Sequence, residues 1–176
     1  MIRRMGGWMR IIFTALALAL LPVTHHLQAA LGESQSQIAK RYGGTKFPPM
    51  AMTNRDLTVY FDYKDYTVGV TFLDGVCNRE TFTRKDKKAL NAGEIQYLLD
   101  ANALGSKWVL MDDNKNATIW ILDSKEAMAG YYKSAPYLSI QTPNMLAFDD
   151  AIKKLQEKGG PKQTLPPPPT DPNLRP

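Results

Sequence analysis

The residues best suited to chemistry in this chain of 176 residues are few, and their spacing excludes more than it supports. Its two histidines, His25 and His26, adjoin each other in a stretch that reads as a targeting segment. The rest of the chain has no imidazole, which removes Ser-His-Asp and Cys-His arrangements, histidine general bases and histidine-ligated metals. Cys77 is the only cysteine, so zinc-ribbon spacing, a CxxC redox pair and an intramolecular disulfide are all impossible. Its predicted surroundings are apolar, and burial raises a thiol's pKa and makes it inert, so Cys77 is expected in the core. No stretch matches the glycine-rich phosphate loops GxxxxGKS/T or GxGxxG. No cofactor and no metal site are expected.

Carboxylates remain. Asp112-Asp113 with Asn114-Lys115-Asn116 has the oxygen-rich composition of a calcium loop but lacks its glycine and closing glutamate, so a polar hairpin turn is the reading. Asp149 and Asp150 adjoin on a predicted helix and point to different sides, while Asp62 and Asp65 flank a turn. An alternative function, a carboxylate-dependent envelope hydrolase using neither histidine nor metal, would need two acids distant in sequence to meet. A third reading, a small-ligand carrier, would need an enclosed apolar cavity. The aromatic residues Trp108, Trp120, Tyr131 and Tyr132 fall in predicted strands. Most belong in a core, but an outward stripe could form a contact surface, for which Tyr131, Tyr132 and Trp120 are the candidates.

The elements that would position these groups are legible from capping and periodicity. Gly32 to Gly43 reads as a short helix, with Ser34 and Gln37 as a capping box and Gly43-Gly44 as its stop. Leu57 to Tyr63, Tyr66 to Leu73 and Val76 to Thr83 are β-branched and aromatic runs. Asp74-Gly75 between the last two predicts a two-residue hairpin turn. That turn sets Leu73 opposite Val76, Phe72 opposite Cys77 and Val70 opposite Arg79, with Val68, Val70, Phe72 and Cys77 on the core side. Asn91 to Ala103 is a second helix with Asn91 and Glu94 as its capping box and Ile95, Leu98 and Leu99 as its buried stripe. Strands follow at 107–111, 117–122, 127–132 and 137–141. Thr142 caps a last helix with Pro143 in its first turn, and Met145, Phe148, Ile152 and Leu155 follow helical spacing.

Both ends differ in composition. Arg3, Arg4 and Arg10 precede the uncharged run Ile11 to Leu21, then Pro22 and the small residues Ala29-Ala30, the order of an export signal. Residues 1–30 are therefore expected to be cleaved, leaving no permanent membrane span; the apolar run falls well short of the roughly 20 residues that a spanning helix needs. Loss of three arginines from 22 basic and 17 acidic residues leaves a net charge near +2, too little for a nucleic-acid footprint. Residues 159–176 carry a proline run, Pro166 to Pro169, and almost no apolar residues, so they are expected to be a disordered tail. A single α+β domain is left between 31 and 158.

Taken together, Arg41-Tyr42-Gly43, Val70-Thr71-Phe72-Leu73-Asp74-Gly75 and residues 94–102 (EIQYLLDAN) resemble a type of small secreted bacterial protein. The first part of the domain is also similar, more distantly, to the small outer-membrane-assembly lipoproteins and the β-lactamase inhibitor proteins. These share a helix ending in glycine and a meander with a "V-x-F-x-x-G" strand. That resemblance implies an antiparallel sheet, its strands in two meander-type series, with helices packed on one face. It also implies protein binding in the cell envelope. The chain lacks the cysteine that the lipoproteins carry for lipid attachment, and no site residue carries over. The sequence reading is thus an exported, periplasmic or secreted, non-catalytic protein-binding or structural module whose partner is another envelope protein.

Overall fold

A computed structural model describes residues 30–158 apart from Met52. Residues 1–29 and the proline-rich tail from 159 onward, on which the targeting and disorder expectations fall, lie outside the described residues.

Helix α1 (Gln35–Tyr42) leads into β1 (Asp56–Tyr63), β2 (Tyr66–Leu73) and β3 (Val76–Arg84). Helix α2 (Ala92–Ala101) follows, then β4 (Trp108–Asp113), β5 (Ala117–Leu122), β6 (Met128–Tyr132), β7 (Tyr137–Gln141) and α3 (Pro143–Glu157). The two meanders join through β3 and β7 into one antiparallel seven-stranded sheet of order β1-β2-β3-β7-β6-β5-β4. This is the expected α+β class of two strand series and helices, with β1 and β4 at the sheet's edges. Helices α1 and α2 pack on one face, but α3 packs on the other, against the expectation of helices on one face alone.

Local chemistry explains the boundaries. In α1 the Ser34 amide donates to Gln37 Oε1 at 2.8 Å, half of the capping box. In α2 the Asn91 and Glu94 side chains each accept from the other's backbone amide, at 3.0 and 2.8 Å. Thr142 Oγ1 accepts from the Met145 amide, and Pro143 occupies the first turn of α3, where a missing amide hydrogen costs nothing. Asp74 and Gly75 both have positive φ, 53° and 84°, as a two-residue hairpin demands.

The core lies on one side of the sheet. Val59, Phe61, Val68, Val70, Phe72, Cys77, Phe82, Leu138 and Ile140 point there and meet Ile38 and Tyr42 of α1 and Leu98 and Leu99 of α2. Burying a large apolar side chain of this kind contributes about 1.5–3 kcal/mol. Helix α3 adds a smaller cluster. Its Met145, Phe148 and Ile152 pack with Leu73, which follows Phe72 in the strand and so points to the sheet's other side. Leu155 of the same stripe is exposed, because among the described residues the apolar cluster on this helix ends at Ile152.

One register expectation fails. Leu73 faces Val76 and Phe72 faces Cys77, but Val70 then faces Glu80 and Thr71 faces Arg79. Asn78 is an extra residue, a β-bulge, and its side chain makes the insertion tolerable. Its Nδ2 donates to the Val76 carbonyl at 3.0 Å, and its Oδ1 accepts from Thr142 Oγ1 at 2.6 Å. The Thr142 amide also donates to the Asn78 carbonyl. The bulge changes which residues point inward. Downstream of it, Glu80 and Phe82 face the core, and Arg79 turns outward to Gln141 and Asp149. Without the bulge a guanidinium would point into the core, and unlike a carboxyl it cannot shed its charge there.

Candidate functional site

The bulge creates the most unusual polar group of the molecule. Glu80 is fully buried, and its Oε1 accepts the Tyr42 hydroxyl at 2.6 Å. Burial pushes its carboxyl up to about 7, while the Tyr42 hydrogen bond, the Arg41 charge and the Ala30 amide oppose that rise. Tyr42 is raised far above the ordinary phenol range by burial and by the neighbouring carboxylate. Cys77 is 0% exposed, as expected of a core thiol, and burial pushes its pKa strongly upward. Glu33 and Arg41 form an ion pair beside this cluster. A carboxyl with a pKa near neutrality is a familiar form of general acid. Here it is sealed among the described residues: Glu80 is 0% exposed and lines neither of the grooves described below.

The exposed acids do not converge either. Asp62 is held by Lys46 at 2.9 Å, Asp149 pairs with Arg79, and Asp113 accepts from Lys133 at 2.7 Å and Thr118 at 2.8 Å. Those last two contacts hold Asp113 below the usual carboxylate range. Asp112 accepts from Asn114, within the polar hairpin turn that the sequence predicts. Arg84 bridges Asp86 and Glu94, and Asp86 sits well below its ordinary value for that reason. Among the described residues no three His, Cys, Asp or Glu side chains gather as a metal site would require.

Two open grooves mark the surface. One, of about 600 Å³, runs between α3 and the β2–β3 turn, lined by Arg55, Leu73, Asn78 and Phe148 among others. Arg55 lies over the Phe148 ring there and is paired with Asp74. The other, of about 630 Å³, contains the acids Glu33 and Asp100. Glu33 is engaged by Arg41, and Asp100 accepts from Gln96 at 2.8 Å. Both grooves are broad and open to solvent, unlike the enclosed apolar cavity that a small-ligand carrier needs.

The aromatic candidates separate. Tyr131 is buried on the core side, its hydroxyl directed at the Leu90 carbonyl. Trp120, opposite Ala129, also lies on that side and packs against the core. Tyr132 alternates to the other face, where its ring stacks on Tyr137 with centroids 4.8 Å apart. The three therefore do not form one surface, because Tyr131 and Tyr132 are neighbours in a strand whose side chains alternate.

The surface that the sequence reading missed is β4. Val109, Leu110 and Met111 are 46%, 57% and 62% exposed, three consecutive large apolar residues on an edge strand. Among the described residues no strand or isolated bridge pairs with the outer side of β4. The opposite edge is treated differently. Thr45 and Met50 bridge to β1, and Phe47 packs edge-on against Tyr60, so that edge is covered. The signal in the sequence was the absence of alternation in Trp-Val-Leu-Met, which suits a strand apolar on both faces. Comparison with protein-family models, curated proteins and solved structures finds no match.

Proposed function

We propose that this chain is an exported envelope protein acting as a non-catalytic protein-binding module, with β4 as its contact element. The observation that carries this reading is the exposed Val109-Leu110-Met111 run on a sheet edge that no described residue pairs with. Such an edge presents free backbone donors and acceptors together with apolar side chains, the combination used in strand addition. Folded chains normally protect such an edge, as this one protects β1. The stacked pair Tyr132 and Tyr137 adds aromatic surface on the adjoining face. Catalysis finds less support, since Asp62, Asp113 and Asp149 each have their own cation and Glu80 is sealed.

The test is affinity capture from envelope extract with the purified protein and with its Leu110→Lys variant. An envelope protein retained by the first and lost by the second supports the reading. Identical captures, or none from either, overturn it. Export is checked separately by N-terminal sequencing of the recovered protein, which should begin at or near Ala30 or Leu31; a form starting at Met1 in the membrane fraction would reject cleavage.

A further inference from the structure

The backbone of β4 constrains what can pair with it. The Asp123 amide donates to the Lys107 carbonyl at 2.8 Å, so that carbonyl is turned inward, toward the rest of the sheet. Val109, opposite Ile121, repeats this orientation two residues on. Trp108 and Leu110 alternate with them, so their N–H and C=O groups point out of the edge. The β5 side agrees: opposite Trp108, the Leu122 amide is turned away from β4 and donates to the Ala127 carbonyl.

Two strands related by a two-fold axis can share hydrogen bonds only where outward-facing residues meet. An axis at Val109 opposes Trp108 of each strand to Leu110 of the other, giving two outward-facing pairs. An axis at Leu110 opposes only Leu110 to itself, since Asp112 beyond the register shift faces Ile119; Val109 is therefore the centre. An antiparallel copy centred at Val109 lays Lys107 of each strand beside Met111 and Asp112 of the other. Among the described residues Lys107 has no ion pair, and Asp112 is engaged only by the neutral Asn114. A parallel copy in register would instead oppose lysine to lysine and aspartate to aspartate, which is destabilising. Strand polarity, apolar length and end charges all select the same arrangement.

We infer that the partner on β4 is a second copy of this chain, paired antiparallel about a two-fold axis at Val109, which joins two seven-stranded sheets into one. This rests on β4 being the contact element proposed above and names its occupant. The register shift between Leu110 and Asp112 interrupts the strand at Met111, so the shared ladder is short. The dimer is accordingly weak and concentration-dependent, with an interface at the small end of the specific range.

The test is sedimentation velocity of the purified protein over a concentration series. Reversible doubling of mass is expected, and its loss in Leu110→Lys, which puts an ammonium group against Trp108 of the other strand in both halves of the shared ladder. Circular dichroism should be unchanged, because residue 110 is exposed. A second variant keeps the test independent of that charge. In Val109→Cys the two residues form the central non-hydrogen-bonded pair, with Cα atoms about 4.5 Å apart and within disulfide reach, so mild oxidation yields a covalent dimer. Cys77 is buried and does not compete. Leu110→Cys, exposed but off the axis, should cross-link far less.

A monomer at every concentration, a dimer indifferent to Leu110→Lys, or equal cross-linking at 109 and 110 would each overturn the inference. So would amide-exchange protection of Trp108 and Leu110 in a monomer, which would place another segment of the same chain on the edge. A monomer that still captures an envelope protein through Leu110 overturns self-pairing alone and leaves the binding role standing. A Leu110-dependent dimer that captures nothing else does the reverse.

Discussion

Tyr42 and Glu80 stand 38 positions apart in the sequence and 2.6 Å apart in the fold, the phenol donating to a carboxyl that has no access to water. Linkage gives this pair a measurable pH signature. Glu80 holds its proton up to about pH 7 in the folded chain, against an ordinary value of 4.5. The folded state therefore binds more protons between those values. Stability from this group is full below about pH 4.5, falls as pH rises to about 7, and is flat above. The shift corresponds to roughly 3 kcal/mol. Glu80→Gln keeps an acceptor for Tyr42 and removes the charge, so it should flatten that slope and exceed the wild type in stability at pH 8. Urea titrations at several pH values measure both, and a wild-type slope surviving in Glu80→Gln would assign the effect to another group.

Removal of the donor should act in the opposite direction. Tyr42→Phe keeps the ring among Phe61 and Tyr63 but leaves Glu80 Oε1 unsatisfied. A buried acceptor without its donor costs about 1–3 kcal/mol. Because that bond lowers the Glu80 pKa, its loss should move the upper end of the pH-dependent window to higher pH. In the Glu80→Gln background the pH-dependent part of the effect should vanish, which a double-mutant cycle reads directly.

The sequence displayed what is local. Ser34 with Gln37, Asn91 with Glu94, Thr142 with Pro143 and the Asp74-Gly75 turn all lie within a few residues of their partners, and the elements they bound stand close to where they were expected. The bulge was not legible, because Asn78 is held by Thr142, 64 positions away. Everything that depends on the bulge was hidden with it, including the burial of Glu80 and the outward turn of Arg79. The surface residues failed for a related reason. Whether Val109, Leu110 and Met111 are covered depends on the sheet order, which puts β4 at an edge, and strand runs alone do not state that order.

Cys77 should behave as a small core residue. Its side chain lies within the main cluster and donates weakly to the Arg79 carbonyl at 3.7 Å. Cys77→Ala should cost roughly 1–2 kcal/mol, at the modest end of core truncations. The thiol of the folded protein should react with a neutral-pH thiol reagent only as fast as the chain opens. Labelling as rapid as that of a free thiol would contradict the burial.

Gly69 offers a test in which two known effects oppose each other. It sits in β2 between Tyr60 and Thr81, and a Cβ there would lie 3.0 Å from Tyr60 Cε1 and 3.8 Å from Thr81 Cβ. Its φ is negative, so alanine meets no backbone strain, and the loss of unfolded-state freedom would stabilise by about 0.4–1 kcal/mol. Against this, the Tyr60 ring must tilt away, and overpacking of this kind costs typically about 1–3 kcal/mol. The second effect is larger, so Gly69→Ala should be destabilising on balance. The location of the damage is also fixed. Tyr60 meets Phe47 edge-on with centroids 6.1 Å apart, and its carbonyl accepts the Lys46 amide at 2.7 Å, so the ring anchors the segment that covers β1. Amide exchange at Lys46 and Met50 should accelerate in the variant more than exchange in β7. Uniform acceleration across the sheet, or a net gain in stability, would mean that Tyr60 yields without loss and that the close approach at Gly69 is not what holds that edge.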